Sequence, residues 1–137
     1  MREFKFRVWE NVESKMNYDC IVGDNFIIFN YTGDCEDDLF TGNVDFVHLC
    51  ELNRKYFEIM QYTGIRDMTG KEIYEGDILE DLHGERSEVE YNGGAFIIKN
   101  RYDYWFMSGL ATLDEDLYVE DYRIIGNIYE NKDLLED

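Results

Sequence analysis

The chain contains no proline. Every sharp reversal therefore falls to glycine, asparagine or aspartate, the residues that tolerate turn dihedrals. All eleven glycines find places in turns and bulges. None belongs to a Gly-x-Gly-x-x-Gly or Gly-x-x-x-x-Gly-Lys-Ser/Thr pattern, which leaves the common nucleotide cradles without support. Cysteine is scarce too. Cys20, Cys35 and Cys50 are odd in number and widely spaced, so neither a disulfide framework nor a Cys-x-x-Cys knuckle is offered. His48 and Cys50 fall on one side of an extended segment, yet a zinc site needs three or four ligands with short-range pairs. A small buried thiol and a partly buried imidazole are the expectation there. The only other histidine, His83, lies in the polar loop 82–86, and with so few serines no nucleophile and base pair stands out. No apolar run approaches the ~20 residues that cross a bilayer. The opening residues alternate charge with bulk where a signal peptide would be apolar, so a soluble, cytoplasmic protein with no membrane partner is expected.

Positive charge is the next shortage. Against 31 acidic residues stand 13 basic ones, a formal net charge of -18. Binding to a phosphate backbone draws its affinity from clustered Lys and Arg, and here these are single or paired, as at Arg54-Lys55. Direct nucleic-acid binding is disfavoured. Residues 1–68 hold 13 acids and 7 bases (net -6), residues 69–137 hold 18 acids and 6 bases (net -12), so the second half carries most of the field. Acid pairs such as Asp37-Asp38, Glu80-Asp81 and Glu120-Asp121 are too common to mark catalysis or metal binding. The densest run, 34–38, lacks the alternating ligands, central glycine and distal Glu of a calcium loop. It reads as a solvated loop. No catalytic, cofactor-binding or metal-ligating residue is assigned, and no cofactor is implied.

What is present is β-forming sequence. At 137 residues, 45% of them hydrophobic and 16% aromatic, the chain can bury a core as one domain. Phe4, Phe6 and Val8 alternate with Lys5, Arg7 and Trp9, a strand with one apolar and one mixed face, followed by a turn over 12–15. Residues 18–22 and 26–31 flank Gly23-Asp24-Asn25 as a hairpin, and 32–38 is a polar loop. Residues 44–52 alternate as a strand, with a helical face as the other reading. Residues 56–62 lead into a turn at Gln61-Tyr62-Thr63-Gly64, with a second turn at 67–71. One strand is expected over 73–81, and a hairpin of 87–91 with 95–100 around a three-residue Asn92-Gly93-Gly94 loop. An aromatic strand over 102–107, a helical turn or loop over 110–117, and a strand over 122–129 interrupted by Gly126 complete the pattern. Asn131 is placed to cap a last helical turn through Leu134 and Leu135. The class is mainly β with few short helices. Residues 57–137, with short strands and tight turns, resemble a small SH3-like barrel, and 1–56 read as an additional N-terminal β layer.

Three segments carry a resemblance to a known family. They are Arg2-Glu3-Phe4-Lys5-Phe6-Arg7-Val8-Trp9, then 60–67 with Gly70-Lys71-Glu72-Ile73-Tyr74-Glu75-Gly76-Asp77-Ile78, and finally Ile125-Gly126-Asn127-Ile128-Tyr129-Glu130-Asn131. In this order, and from end to end, the chain resembles the YopX family of bacteriophage and prophage proteins, as a single YopX-like domain over 1–137. The family typically has proline after the final Glu-Asn, where this chain has Lys132. The resemblance implies a phage or prophage setting and a mainly β fold, but no enzyme activity and no agreed site. Read physically, Ile73, Ile78, Ile125 and Ile128 are core, and the motif glycines are backbone requirements. The functional reading gathers Gln61, Tyr62, Arg66, Asp67, Tyr74, Glu75 and Asp77 into one polar and aromatic binding patch.

Three function classes follow. The leading one is a non-enzymatic acidic module binding a bacterial host or phage protein with a basic surface. Its sharper version is a DNA mimic, because residues 72–90 hold eight acids against Arg86 alone. The second is a nucleic-acid-binding SH3-like module using Tyr102, Tyr104, Trp105 and Phe106 near Lys99 and Arg101. The third is a metal-dependent enzyme with an acidic site. Aromatic content beyond what one small core hides also raises a homo-oligomer.

Overall fold

The computed structural model describes residues 4–18, 20–29, 45–110 and 119–136. The expected loop over 32–38, Cys35 and most of the 110–117 segment lie outside them. The fold is mainly β. The chain forms two compact units, Lys5–Met60 and a second built on Gln61–Asp137.

In the first unit, β1 (Phe6–Glu10) pairs antiparallel with β2 (Lys15–Asn17), Val8 opposite Asn17. Three further strands, β3 (Cys20–Val22), β4 (Phe26–Phe29) and β5 (Asp45–His48), form a sheet in the order β3-β4-β5. The Gly23-Asp24-Asn25 hairpin is thus realised, and of the strand expected over 44–52 the stretch Asp45–His48 is extended while 51–52 lie in a turn. Alternation on β4 turns Ile27 and Phe29 inward, where they pack with Val8 and Leu49. The mixed face of β1 is not open to solvent. Arg7 is 2% exposed, its guanidinium over the Tyr18 ring and Nη1 3.4 Å from the Tyr18 hydroxyl. Cation–π contact and a long apolar stem let such a side chain go inside. His48 and Cys50, by contrast, are exposed, not the buried thiol and part-buried imidazole expected. Their backbones are tied down by the side-chain amide of Asn53.

After the 3₁₀ turn Arg54–Tyr56 comes β6 (Phe57–Arg66), along which the chain passes into the second unit. The turn expected at 61–64 is absent. The strand runs straight through it, with a register shift against β7 (Glu72–Tyr74) between Tyr62 and Arg66. Between those pairs β6 has three residues and β7 one, and Gly64 at φ +82° lies within the two-residue excess, so a glycine that looked like a turn marks a bulge. Conversely, the single strand expected over 73–81 breaks at Glu75-Gly76 into β7 and β8 (Asp77–Asp81).

A five-stranded sheet follows in the order β11-β10-β9-β8-β12. It comprises β8, β9 (Arg86–Asn92), β10 (Ala95–Lys99), β11 (Tyr104–Phe106) and β12 (Tyr122–Asn127). The β9–β10 loop is two residues rather than three. Asn92 pairs with Ala95, and Gly93 and Gly94 take φ +62° and +85°, the two positive values of a hairpin turn that matches strand twist. One sheet face supplies Leu79, Val89 and Ile98 to a core with Ile65, Ile73, Met107 and Val119. Full burial of each such side chain stabilises by about 1.5–3 kcal/mol. Met107–Leu110 is one helical turn, and a 3₁₀ turn, Lys132–Leu135, ends the chain.

Candidate functional site

The seven residues gathered from the sequence do not share one exposed surface. Tyr62, Asp67, Tyr74 and Asp77 are buried, while Gln61, Arg66 and Glu75 are half-buried. Tyr62 and Tyr74 face each other across the β6–β7 ladder, ring centroids 5.5 Å apart. The carboxylates serve the backbone. Oδ1 of Asp67 accepts from the Thr69 and Lys71 N–H groups at 2.9 Å and from the Thr69 hydroxyl at 2.6 Å. Its Oδ2 accepts the Ile124 N–H at 2.9 Å, across 57 residues of sequence. Burial alone would push this carboxyl up, but the Thr69, Ile124 and Lys71 donors hold it below its ordinary value. Asp77 accepts the Tyr74 N–H at 2.8 Å, closing the turn that splits β7 from β8. Glu75 accepts the Gln61 N–H at 3.0 Å, and its own N–H returns a bond to the Gln61 carbonyl. These residues hold bulge, turn and strand in register.

The closing motif works likewise. Asn127 Oδ1 accepts the Tyr129 and Glu130 N–H groups. Asn131 occupies the cap position of the last 3₁₀ turn but makes no side-chain capping bond there. Its Oδ1 instead accepts the Asn127 N–H at 3.2 Å, so the cap expected from its position is spent on the preceding turn.

The second face of the five-stranded sheet holds a different arrangement. Period-two alternation sends Ser87 and Val89 into the interior, and Arg86, Glu88 and Glu90 to the other side. In the cross-strand rows Arg86 stands opposite Glu80, Glu88 between Ile78 and Lys99, and Glu90 opposite Ile97. Glu80 is bridged by Arg123 Nη2 at 2.7 Å and Arg86 Nε at 3.4 Å, which lowers its pKa. Glu88 and Glu90 stand two residues apart on the same face. Burial beside Ile78 and Ile97, the hydrogen bond to Glu90 and its charge push the Glu88 carboxyl up to about 7, against the partial relief of Lys99 and Lys132. Lys99 Nζ lies 4.0 Å from Glu90.

This carboxyl pair lines a groove of about 580 Å³, with Glu85 and Glu136 adding negative charge and Arg86, Lys99, Arg101 and Tyr102 also on its wall. Arg86 reaches across to the Leu134 carbonyl at 3.1 Å, and Asn100 donates to Glu85 at 2.8 Å. The sequence named these acids only as part of a run. Their spacing, Glu-x-Glu on a strand whose intervening Val is apolar, was the available signal for one shared face. Among the described residues, no group of three or more His, Cys, Asp or Glu is placed to hold a metal ion. Nor is any helix among them long and apolar enough to cross a membrane.

A two-unit β protein whose buried motif acids staple turns, and whose second sheet presents an acidic groove, defines a class of small β modules. The model of the family described as YopX protein matches residues 5–136, and the chain belongs to that family. It is also similar to a solved structure, protein EF1440 from Enterococcus faecalis, at 27% identity and a TM-score of 0.61, covering 99% of this chain and 100% of that one. No curated protein matches. None of these descriptions names an activity.

Proposed function

We propose that this protein is a non-enzymatic interaction module of a phage or prophage, binding a basic surface of a bacterial or phage protein through the acidic groove of its second unit. Its scaffold is read as an SH3-like barrel portion. The observation that carries the proposal is the Glu88–Glu90 pair. Like carboxyls held together beside Ile78 and Ile97 oppose each other, and an incoming Lys or Arg side chain relieves that opposition. A net -12 over residues 69–137 would steer such a partner to the groove.

Interaction is preferred over phosphate mimicry because many of the acids over 72–90 are already engaged. Glu75, Asp77 and Asp81 accept backbone N–H groups, and Glu80 is neutralised by two arginines. Few remain to imitate a regular line of phosphates. Affinity capture from bacterial lysate, with nuclease present and absent, tests this reading. A stoichiometric protein identified by mass spectrometry, retained after nuclease and lost from a folded Glu88→Gln/Glu90→Gln variant, is the expected outcome. Capture that disappears with nuclease would sink it in favour of nucleic-acid binding.

A further inference from the structure

We propose that the β11 edge is a self-association surface, on which a second copy of this chain pairs its own β11 antiparallel about a two-fold axis. The inference is independent of the acidic groove. It starts from position, since β11 ends the strand order and, among the described residues, is paired only with β10. The hairpin that delivers it opens with the Asn100 N–H donating to the Asp103 carbonyl at 3.0 Å. From that bonded pair the antiparallel ladder alternates, so Trp105 faces Ile98 in a bonded pair, while Tyr104 and Phe106 direct their backbone groups to the open side. The Tyr104 N–H is held by Asp103 Oδ1 at 2.8 Å. The Tyr104 carbonyl and the Phe106 N–H form the edge itself, since the Phe106 carbonyl opens the helical turn Met107–Leu110.

Side chains and charge name the occupant. Tyr104 and Phe106 are 56% and 54% exposed, and Trp105 is 37% exposed. None of the usual edge defences, an inserted lysine, proline or bulge, stands within the strand. Residues 104–113 are also the longest uncharged run in the sequence. Two copies carrying -18 each repel over most of their surfaces and can approach only where that charge is missing. A basic partner would be drawn to the carboxylates instead. A second copy therefore fits the edge best, with an isologous contact in which each aromatic meets the other copy's strand.

Sedimentation equilibrium of the full chain over a wide concentration range, at low and moderate salt, tests this. The expected result is a dimer that tightens several-fold as added salt screens the like charges. Tyr104→Lys/Phe106→Lys should weaken it by at least ~100-fold. A wild-type monomer throughout, a dimer that loosens with salt, or a folded double variant that dimerises like wild type would each overturn the proposal. Should the variant fail to fold, hydrogen exchange decides on the wild-type chain. The Phe106 amide must become protected as concentration rises, and an exchange rate independent of concentration overturns the inference.

Discussion

Asp67 and Glu88 are both carboxylic acids drawn away from water in the same unit, and the fold treats them in opposite ways. Asp67 meets three backbone N–H groups and a hydroxyl, and its pKa is lowered despite burial. Glu88 meets apolar neighbours and a second carboxyl, and its pKa is raised to about 7. The first arrangement gains from its charge and fixes structure. The second carries its charge at a cost to the folded state.

The largest break in this comparison comes from Asp67→Ala. It strands the donors of Thr69, Lys71 and Ile124 and should cost about 3–4 kcal/mol in urea unfolding, whereas a loss under about 1 kcal/mol would mean that water replaces the carboxylate freely. Because the folded pKa of Asp67 lies below its ordinary 3.8, its contribution is complete above that value and is lost as pH falls through the folded one.

Glu88 should show the reverse sign. Its folded pKa of about 7 lies above the ordinary 4.5, so between these values the native state binds more protons and stability falls as pH rises. Glu88→Gln removes that penalty. The variant is expected to be more stable than wild type at about pH 8 by on the order of 1–2 kcal/mol, after discounting for solvent screening, with the gain gone near pH 4. A pH-independent difference would show that packing, not ionisation, separates the two.

Smaller effects sharpen the contrast further. Lys99→Met takes away one of the cations relieving Glu88, and the carboxyl titration followed by NMR should move upward by less than about one unit. A downward move would remove Lys99 from the account. Arg123→Met deletes the exposed bridge to Glu80. No measurable change in thermal midpoint is expected, since solvent-exposed ion pairs contribute little, and a clear loss would show that this rim is part of the fold.

Where sequence reasoning succeeded and failed follows from the range of the interactions involved. The strands β4, β5, β10 and β11 were legible because their alternation and flanking turn residues act within a few positions. At Gly64 the same local logic misled, because a glycine at positive φ serves a turn or a bulge equally well and only the partner strand β7 decides between them. The break at Glu75-Gly76 was hidden by apolar residues on both sides, and by an Asp77 whose capping bond to the Tyr74 N–H is invisible until the turn is closed. The residues gathered as a patch lie buried or half-buried for a related reason. Polar residues in a motif look accessible in sequence, yet Asp67 and Asp77 are buried because the backbone donors they satisfy are buried with them.

The sequence by itself determined the strand-rich class, the family, the excess of negative charge and its bias toward the second half, since these depend on composition, short periodicities and motif order. Tertiary structure decided which carboxylates are structural and which face the groove. Asp67 finds the Ile124 N–H 57 residues away, and Glu88 takes its environment from Ile78 and Lys99 on two other strands. The pKa of an acid is set by what stands within a few ångströms, and that neighbourhood exists only once the strands have paired.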